Sequence, residues 1–565
     1  MNDVFRRPGA LAGPGWSFFN LRSLRFAFSF SLVLAAVPAR AGEHDRDRSR
    51  RGVACADLIN FTSEGVTTVT AATLVTSGTV VTPAGATFNN LPTFCRVQGV
   101  SKPSTDSNIL FEAWLPASTW NGKFLSAGEG GYVGTIGYAS IALNLQKGYA
   151  TVSTDTGHVA SDTWWAVGHP EKAKDYLYRA KHLVTIATKG LIKTHYGRAA
   201  TRNYFQSCSN GGRQALIEIQ RYPDDFDGLI VGAPWNFQSH SNAGFVWDAQ
   251  ALSAPGAAIR PAQLPAITKA ALDACDGNDG LVDNLITDPL SCRFDPAVLL
   301  CAGAENDSCL TAAQLGALRK IYAGPANPRT GQQIFPGFAV GSERQWAGLV
   351  ANLNAAGLGR GYFANLTFED PNWDYKTFNF DSHMAYADFK VGLLGNATDM
   401  DLSAARRRGV KIIQYHGWED QTLQPAYSPE YYEAVVQETG SLKKTQKFYR
   451  LFMVPGMRHC NPPGPGAGVF GQGTGQQPPV RDALHDVQLA LEAWVEHGVA
   501  PRKLIGTKYT TDDAAASTIQ FMRPLCPHPQ VSRYVGGDPN SDASFACVGQ
   551  PRQDGDDDDD EDDRD

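Results

Sequence analysis

The chain has 565 residues, 43% of them hydrophobic and 19% charged, which is enough for a large folded core and exceeds one average domain. Its formal net charge of -7 comes from the end of the chain, where residues 554–565 carry ten acidic groups and one arginine. The near-neutral remainder excludes a basic surface for nucleic acid, and residues 551–565 are predicted to be a solvated, disordered acidic tail.

At the other end, Arg22 and Arg25 precede an apolar run from Phe26 to Val37, too short to cross a bilayer, and Ala39-Arg40-Ala41 offers a small-residue cleavage site. Residues 1–41 are therefore read as an export signal and 42–54 as a basic linker. The mature chain is expected to be secreted or periplasmic, with no membrane association after cleavage. Ten cysteines, an even number, favour disulfides in such a compartment. Local spacing suggests Cys55 with Cys95, Cys275 with Cys292, Cys301 with Cys309, and Cys526 with Cys547, which leaves Cys208 and Cys460.

Short β-type runs follow the linker: Val66 to Val75, Ile109 to Leu115, and Gly122 to Ala127. The last feeds Gly128-Glu129-Gly130-Gly131-Tyr132-Val133-Gly134, where glycines let backbone approach a ligand closely. No strand, lysine and helix stand in register for a phosphate loop, so an oxyanion donor fits this loop better. Next come a strand from Tyr149 to Asp155, a helix from about Lys172 to Tyr196, and the run Tyr204-Phe205-Gln206-Ser207-Cys208-Ser209-Asn210-Gly211-Gly212-Arg213. That run reads as strand, tight turn and helix with Ser209 at the bend, the arrangement of a nucleophile elbow. It departs from the usual pattern in having Ser207 where glycine is expected.

A further apolar strand runs from Gly228 to Pro234. Strands alternating with helices imply a mostly parallel sheet covered on both faces, with ligands at the carboxyl ends of its strands. From 235 to 398 the alternation stops, and this stretch is read as an inserted lid domain. The alternation resumes with Val410 to Gly417 and Lys447 to Val454, and a closing helix is expected to carry Leu484, Val487, Leu491 and Trp494 on one face. His485 and His497 of that helix are read as surface residues.

Two turns follow the resumed strands: His416-Gly417-Trp418-Glu419-Asp420-Gln421 and Val454-Pro455-Gly456-Met457-Arg458-His459-Cys460. Serine, acid and histidine in that chain order match an α/β-hydrolase triad. Asp420 is preferred as the acid over Glu419 and Asp155, and His459 is preferred as the base over His416; His158 is read as structural. Cys208 adjoins Ser209 and Cys460 adjoins His459, so a bridge between them would hold their Cα atoms within about 4.4–6.8 Å and deliver the imidazole to the hydroxyl.

These motifs, with Arg523-Pro524-Leu525-Cys526-Pro527, identify the chain as resembling the tannase and feruloyl esterase family of α/β-hydrolases from about Cys55 to Cys547. That family includes the hydrolase of mono(2-hydroxyethyl) terephthalate. The resemblance implies an α/β-hydrolase catalytic domain over 55–234 and 399–550, with the lid over 235–398. It implies a Ser209, Asp420, His459 triad, a Cys208–Cys460 bridge, and an oxyanion hole from the N–H groups of Gly131 and Asn210.

The insertion also holds Asp273-Ala274-Cys275-Asp276-Gly277-Asn278-Asp279-Gly280-Leu281-Val282-Asp283-Asn284-Leu285, a crowd of carboxylates that hard-oxygen chemistry suits to calcium. The resemblance implies a structural calcium ion held by Asp276, Asp279 and Asp283 and by the carbonyls of Leu281 and Leu285. No organic cofactor is expected. Trp346, Tyr362, Phe363, Phe368, Trp373 and Tyr375 offer aromatic surface for an aryl acid, one or two of them as contacts. The terephthalate hydrolase uses a lid arginine that Tyr362 to Phe368 lacks, with Arg360 just outside. The sequence therefore predicts an esterase for small phenolic-acid esters. A terephthalate half-ester hydrolase and a non-catalytic polyphenol-binding protein are the alternatives.

Overall fold

The computed structural model describes residues 52–132, 134–460, 464–473, 476–511 and 517–549. The predicted export signal, Val133 of the glycine loop and the acidic tail lie outside these residues, as does nearly all of the linker. From residue 52 the described chain belongs to one compact unit.

Its centre is a ten-stranded sheet. In chain order the strands are β1 (Thr62–Ser63), β2 (Thr67–Val75), β3 (Phe94–Ser101), β4 (Ile109–Pro116), β5 (Lys123–Ala127), β6 (Ala150–Thr154), β7 (Arg202–Cys208), β8 (Gly228–Gly232), β9 (Lys411–Gly417) and β10 (Tyr449–Val454). They lie in the spatial order β1-β2-β3-β4-β6-β5-β7-β8-β9-β10. Pairing is parallel from β6 to β10 and antiparallel from β1 through β4 to β6.

The parallel strands read as continuous apolar runs because helices cover both faces. All five residues of β8 are buried. Phe205, Leu229, Val231 and Ile412 face one core with Val184 and Leu216. Tyr204, Ile230, Ile413 and Phe452 face another, closed by Leu491 and Trp494 of the helix Val487–His497. Leu484 and His485 do not belong to that helix. Asp486 starts it, its carboxylate accepting from the Gln488 N–H at 2.9 Å, and Leu484 is left 37% exposed ahead of the cap.

The helix expected from Lys172 is also interrupted. A short α-turn, Pro170–Lys174, passes into a π segment, Asp175–Arg179, before α1 (Ala180–Tyr196) begins. Strand β3 had no apolar alternation strong enough to predict it. Its Gly99 is required by the partner strand, since a Cβ there would stand 2.3 Å from the Phe111 ring.

Strands β8 and β9 are parallel neighbours, Gly228 opposite Lys411, although the insertion separates them. Among the described residues the insertion adds no strand to the sheet; it folds as helices around separate apolar clusters. Trp346, Tyr362 and Phe363 are fully buried in those clusters, so they build the insertion's core. All five expected disulfides form: Cys55–Cys95, Cys208–Cys460, Cys275–Cys292, Cys301–Cys309 and Cys526–Cys547. No helix among the described residues is long and apolar enough to cross a membrane.

Candidate active site

Ser209 stands where β7 turns into α2 (Asn210–Arg221), with φ 64° and ψ -127°. Few non-glycine residues hold such angles, and they persist only where the surroundings enforce them. Here the Ser209 N–H donates to the Gly232 carbonyl at 2.9 Å, and its own carbonyl accepts from the N–H groups of Arg213 at 3.1 Å and Trp235 at 3.0 Å. The departure at Ser207 is explained by its neighbours. A Cβ at Gly211 would lie 1.9 Å from Ser207 Oγ, and one at Gly128 would lie 2.7 Å from it. Two glycines from separate segments thus make the room that a glycine at 207 would otherwise provide.

The Cys208–Cys460 bridge spans 252 residues of sequence with its Cα atoms 5.7 Å apart. It ties the Ser209 turn to the turn that carries His459. His459 Nδ1 lies 2.6 Å from Asp420 Oδ2. An ionised carboxylate can only accept, so Nδ1 carries the hydrogen and Nε2 keeps its lone pair.

Asp420 is fully buried and saturated with donors. Its Oδ1 accepts from the N–H groups of Thr422 and Leu423, both at 2.8 Å, and its Oδ2 also receives His416 Nε2 at 3.0 Å. Burial alone would raise its pKa; the two imidazoles overcome this and hold the carboxyl well below the usual carboxylate range.

The rival residues stand elsewhere. His416 is buried behind Asp420, its Nδ1 accepting from the Ser428 hydroxyl at 2.7 Å. Glu419 turns away to Arg344 and Gln345 of the insertion, each with a nitrogen 2.9 Å from Glu419 Oε2. Asp155 Oδ1 accepts from the backbone of Leu110 at 2.9 Å and Gly157 at 2.8 Å. His158 donates to the Tyr132 carbonyl at 2.8 Å and stacks on Trp165, and burial lowers its pKa to about 4.

The glycine loop lies beside α2. The Glu129 N–H donates to Gln214 Oε1 at 3.0 Å, and Asn210 Nδ2 donates to the Glu129 carbonyl at 3.2 Å. Gly131 has φ +53°, and nothing lies within 4 Å of where its Cβ would be. Among the described residues nothing accepts from the N–H groups of Gly131 or Asn210. The insertion reaches over this region at two points. Asn354 Nδ2 donates to the Gln421 carbonyl at 3.2 Å, and Tyr132 Oη donates to the Leu358 carbonyl at 3.2 Å.

The carboxylate-rich turn is folded around Asp276, which accepts backbone N–H bonds from Asp283, Asn284 and Leu285. Asp279 accepts from the Leu281 N–H and the Thr287 hydroxyl. Asp283 Oδ2 pairs with Arg523 at 2.8 Å, whereas its Oδ1 is buried with no hydrogen-bond partner. Burial pushes the carboxyls of Asp279 and Asp283 up. An all-oxygen donor set with an orphaned buried carboxylate oxygen fits a hard cation.

The three carboxylates are not drawn as close as a set elsewhere, His182, Glu218 and Asp225, whose ligating atoms lie within 4.8 Å of one another. That set already has a cation, as Lys189 Nζ lies 3.4 Å from Asp225.

A doubly covered, largely parallel sheet with a serine elbow at a strand's carboxyl end defines the α/β-hydrolase class. The model of the tannase and feruloyl esterase family matches residues 95–548, and the chain belongs to that family. It is 42% identical over 533 residues to an uncharacterized esterase of Xanthomonas campestris pv. campestris, covering 88% of this chain and 92% of that protein. It is 33% identical over 468 residues to a probable feruloyl esterase B-1 of Aspergillus fumigatus, covering 80% and 86% respectively. Feruloyl esterase B from Aspergillus oryzae superposes with a TM-score of 0.80 at 28% identity, over 87% of this chain and 100% of that one. Tannin acyl hydrolase from Aspergillus niger shares the fold, with a TM-score of 0.71 over 88% of this chain and 94% of that one, at 22% identity. The chain is a carboxylic ester hydrolase.

Proposed function

We propose that this esterase hydrolyses esters of phenolic acids, feruloyl or galloyl, through a Ser209, His459, Asp420 triad and an acyl-enzyme. The reading is carried by the bridge that fastens the Ser209 turn to the His459 turn, with Asp420 on the far side of the imidazole. His459 Nε2 takes the Ser209 proton as the hydroxyl attacks the ester carbonyl, then returns it to the leaving alcohol; water repeats the sequence and releases the acid. Asp420 fixes the tautomer and stabilises the imidazolium. The unengaged N–H groups of Asn210 and Gly131 receive the oxyanion, each contributing about 3 kcal/mol if it behaves as such donors do.

The terephthalate half-ester reading is not favoured. Tyr362 to Thr367 are buried in the lid, and Arg360 donates to the Pro371 carbonyl at 2.6 Å and lies over the Trp164 ring. Secretion is supported by the five disulfides and the N-terminal sequence. Asp276, Asp279 and Asp283, with the carbonyls of Leu281 and Leu285, would hold a calcium ion that organises the lid and takes no part in ester cleavage.

The test is a panel of methyl ferulate, a galloyl ester, the terephthalate half-ester and a p-nitrophenyl ester, assayed with the parent and with Ser209→Ala. The phenolic esters should be preferred, and Ser209→Ala should lose roughly a thousandfold or more in kcat. Retained turnover in that variant would overturn the mechanism. Ligand binding by the parent with no turnover of any ester would favour the binding-protein alternative.

A further inference from the structure

The loop offering the Gly131 N–H is the segment of the site least able to hold itself still. Gly128, Gly130 and Gly131 lie within four residues, and a donor that wanders loses its advantage, because such donors act by being oriented before charge develops. The Gly131 N–H belongs to the peptide joining Gly130 and Gly131. The carbonyl of the preceding peptide, on Glu129, is held by Asn210 Nδ2 at 3.2 Å. The carbonyl of the following peptide, on Gly131, is held by the hydroxyl of Tyr176 at 3.0 Å.

Tyr176 Oη also lies 3.1 Å from Asn210 Oδ1 and accepts from Gln238 Nε2 at 3.0 Å. One hydroxyl proton must therefore choose between two acceptors. Asn210 Oδ1 already receives Arg213 Nε at 2.8 Å, a charged donor, whereas the Gly131 carbonyl has no other donor among the described residues. The proton goes to Gly131.

Arg213 is itself fully buried and spends three further N–H groups on the carbonyls of Tyr176, Leu177 and Gly395. Tyr176 sits in the π segment Asp175–Arg179, a helix irregularity of the kind that recurs at functional sites. Its ring is packed by Trp165 at 5.2 Å and Tyr132 at 5.7 Å, so the hydroxyl has little freedom to move.

We propose that the Tyr176 hydroxyl and the Asn210 side-chain amide are positioning groups that clamp the peptides on either side of Gly131, so that its N–H and that of Asn210 converge on one oxyanion. This rests on the triad and oxyanion reading above. Neither group touches the ester; both act through the backbone that does. Loss of either clamp should affect the tetrahedral state and spare ground-state binding.

The experiment compares Tyr176→Phe and Asn210→Ala with the parent and with Tyr196→Phe. Tyr196 is a control whose hydroxyl meets the Pro116 carbonyl away from the site. Three readouts are taken on the folded full-length proteins: kcat and KM on the preferred aryl ester, inhibition by the free aryl acid, and inhibition by an arylboronic acid. The boronic acid forms a tetrahedral adduct with a serine hydroxyl. The expected result for each clamp variant is a fall in kcat of about 10- to 100-fold with KM within about threefold. Boronate inhibition should weaken in step while inhibition by the acid is unchanged, and Tyr196→Phe should match the parent.

A kcat within twofold of the parent in Tyr176→Phe overturns the proposal. So does a loss in which KM and binding of the acid suffer equally, since that marks general damage to the fold. If Tyr176→Phe does not fold, the same criteria applied to Asn210→Ala decide it. Ser209→Ala separates the two levels: if it stays active the mechanism itself is wrong, and if it is dead while both clamp variants run normally only the clamp is wrong.

Discussion

Arg344 of the insertion grips Glu419, the residue immediately before the acid that holds His459, with Nε 2.9 Å from Oε2 and a second nitrogen on Oε1. The same guanidinium donates to the Asn284 carbonyl at 2.8 Å, so it links the carboxylate-rich turn of the lid to the turn of the proposed catalytic acid. Glu419 is only 4% exposed. Arg344→Leu should therefore strand a buried carboxylate and cost about 3 kcal/mol, read as a lower urea midpoint at unchanged slope. The double variant Arg344→Leu with Glu419→Leu should recover part of that loss. A single variant as stable as the parent would mean the pair contributes nothing.

Breaking the tie between the Ser209 and His459 turns should act on the proposed chemistry more than on the fold elsewhere. In the chain-entropy model a loop closed over 252 residues constrains the unfolded chain by about 5 kcal/mol. Cys208→Ser with Cys460→Ser should lose at least about a hundredfold in kcat/KM, because a 1 Å displacement of a catalytic group can cost that much. The other four bridges should remain intact by mass mapping. Full activity in the double variant would show that packing alone brings the histidine to the serine.

How much of this was legible beforehand depended on whether the deciding contacts were local. The elbow at Ser209, the strand ends carrying Asp420 and His459, and four of the cysteine pairs all follow from neighbours in sequence. Between Glu419 and Asp420 sequence could express only a preference. Their opposite directions are set by Arg344 and by His416 and His459, and the arginine comes from the lid. The tolerance of Ser207 depends on Gly128 and Gly211, which are remote from each other along the chain. Tyr176 reads as one more aromatic in a helical run; only the π segment and the approach of the glycine loop give its hydroxyl a task. Gly99 weakens the apolar alternation of strand β3, and the Phe111 ring that requires a glycine there lies on the neighbouring strand.

A pH effect on stability should come from Asp155. Burial raises its pKa to about 7, while two backbone N–H groups pull the other way. The folded value lies above the unfolded one, near 3.9, so the protonated form is favoured on folding. The contribution is full below about pH 4 and is lost as pH rises through 7, at most about 4 kcal/mol. Asp155→Asn keeps an acceptor for Leu110 and Gly157 and removes the ionisation. Urea midpoints measured between pH 4.5 and 7.5 should fall less with pH in this variant than in the parent. Identical slopes in parent and variant would remove Asp155 from the account.

The carboxylate-rich turn yields the remaining test, because the proposed calcium ion would share Asp283 with Arg523. Arg523 satisfies Asp283 Oδ2 and leaves Oδ1 buried and unbonded, an arrangement costing about 1–3 kcal/mol unless something positive lies beside it. A bound calcium would satisfy that oxygen and, at a hundred times its Kd, would stabilise the fold by about 2.7 kcal/mol in all. Stripping with EGTA should therefore lower the thermal midpoint. Calcium should restore it, and magnesium should not at the same concentration, since the smaller ion demands a stricter octahedral shell. Asp283→Asn retains a carbonyl oxygen for Arg523 but lacks the charge, so it should start from a lower midpoint and respond weakly to either treatment. Because the turn joins the catalytic region through Arg344 and Glu419, kcat should fall only at temperatures where the lid begins to open. A midpoint indifferent to chelator and to added calcium would show that Arg523 alone neutralises the turn.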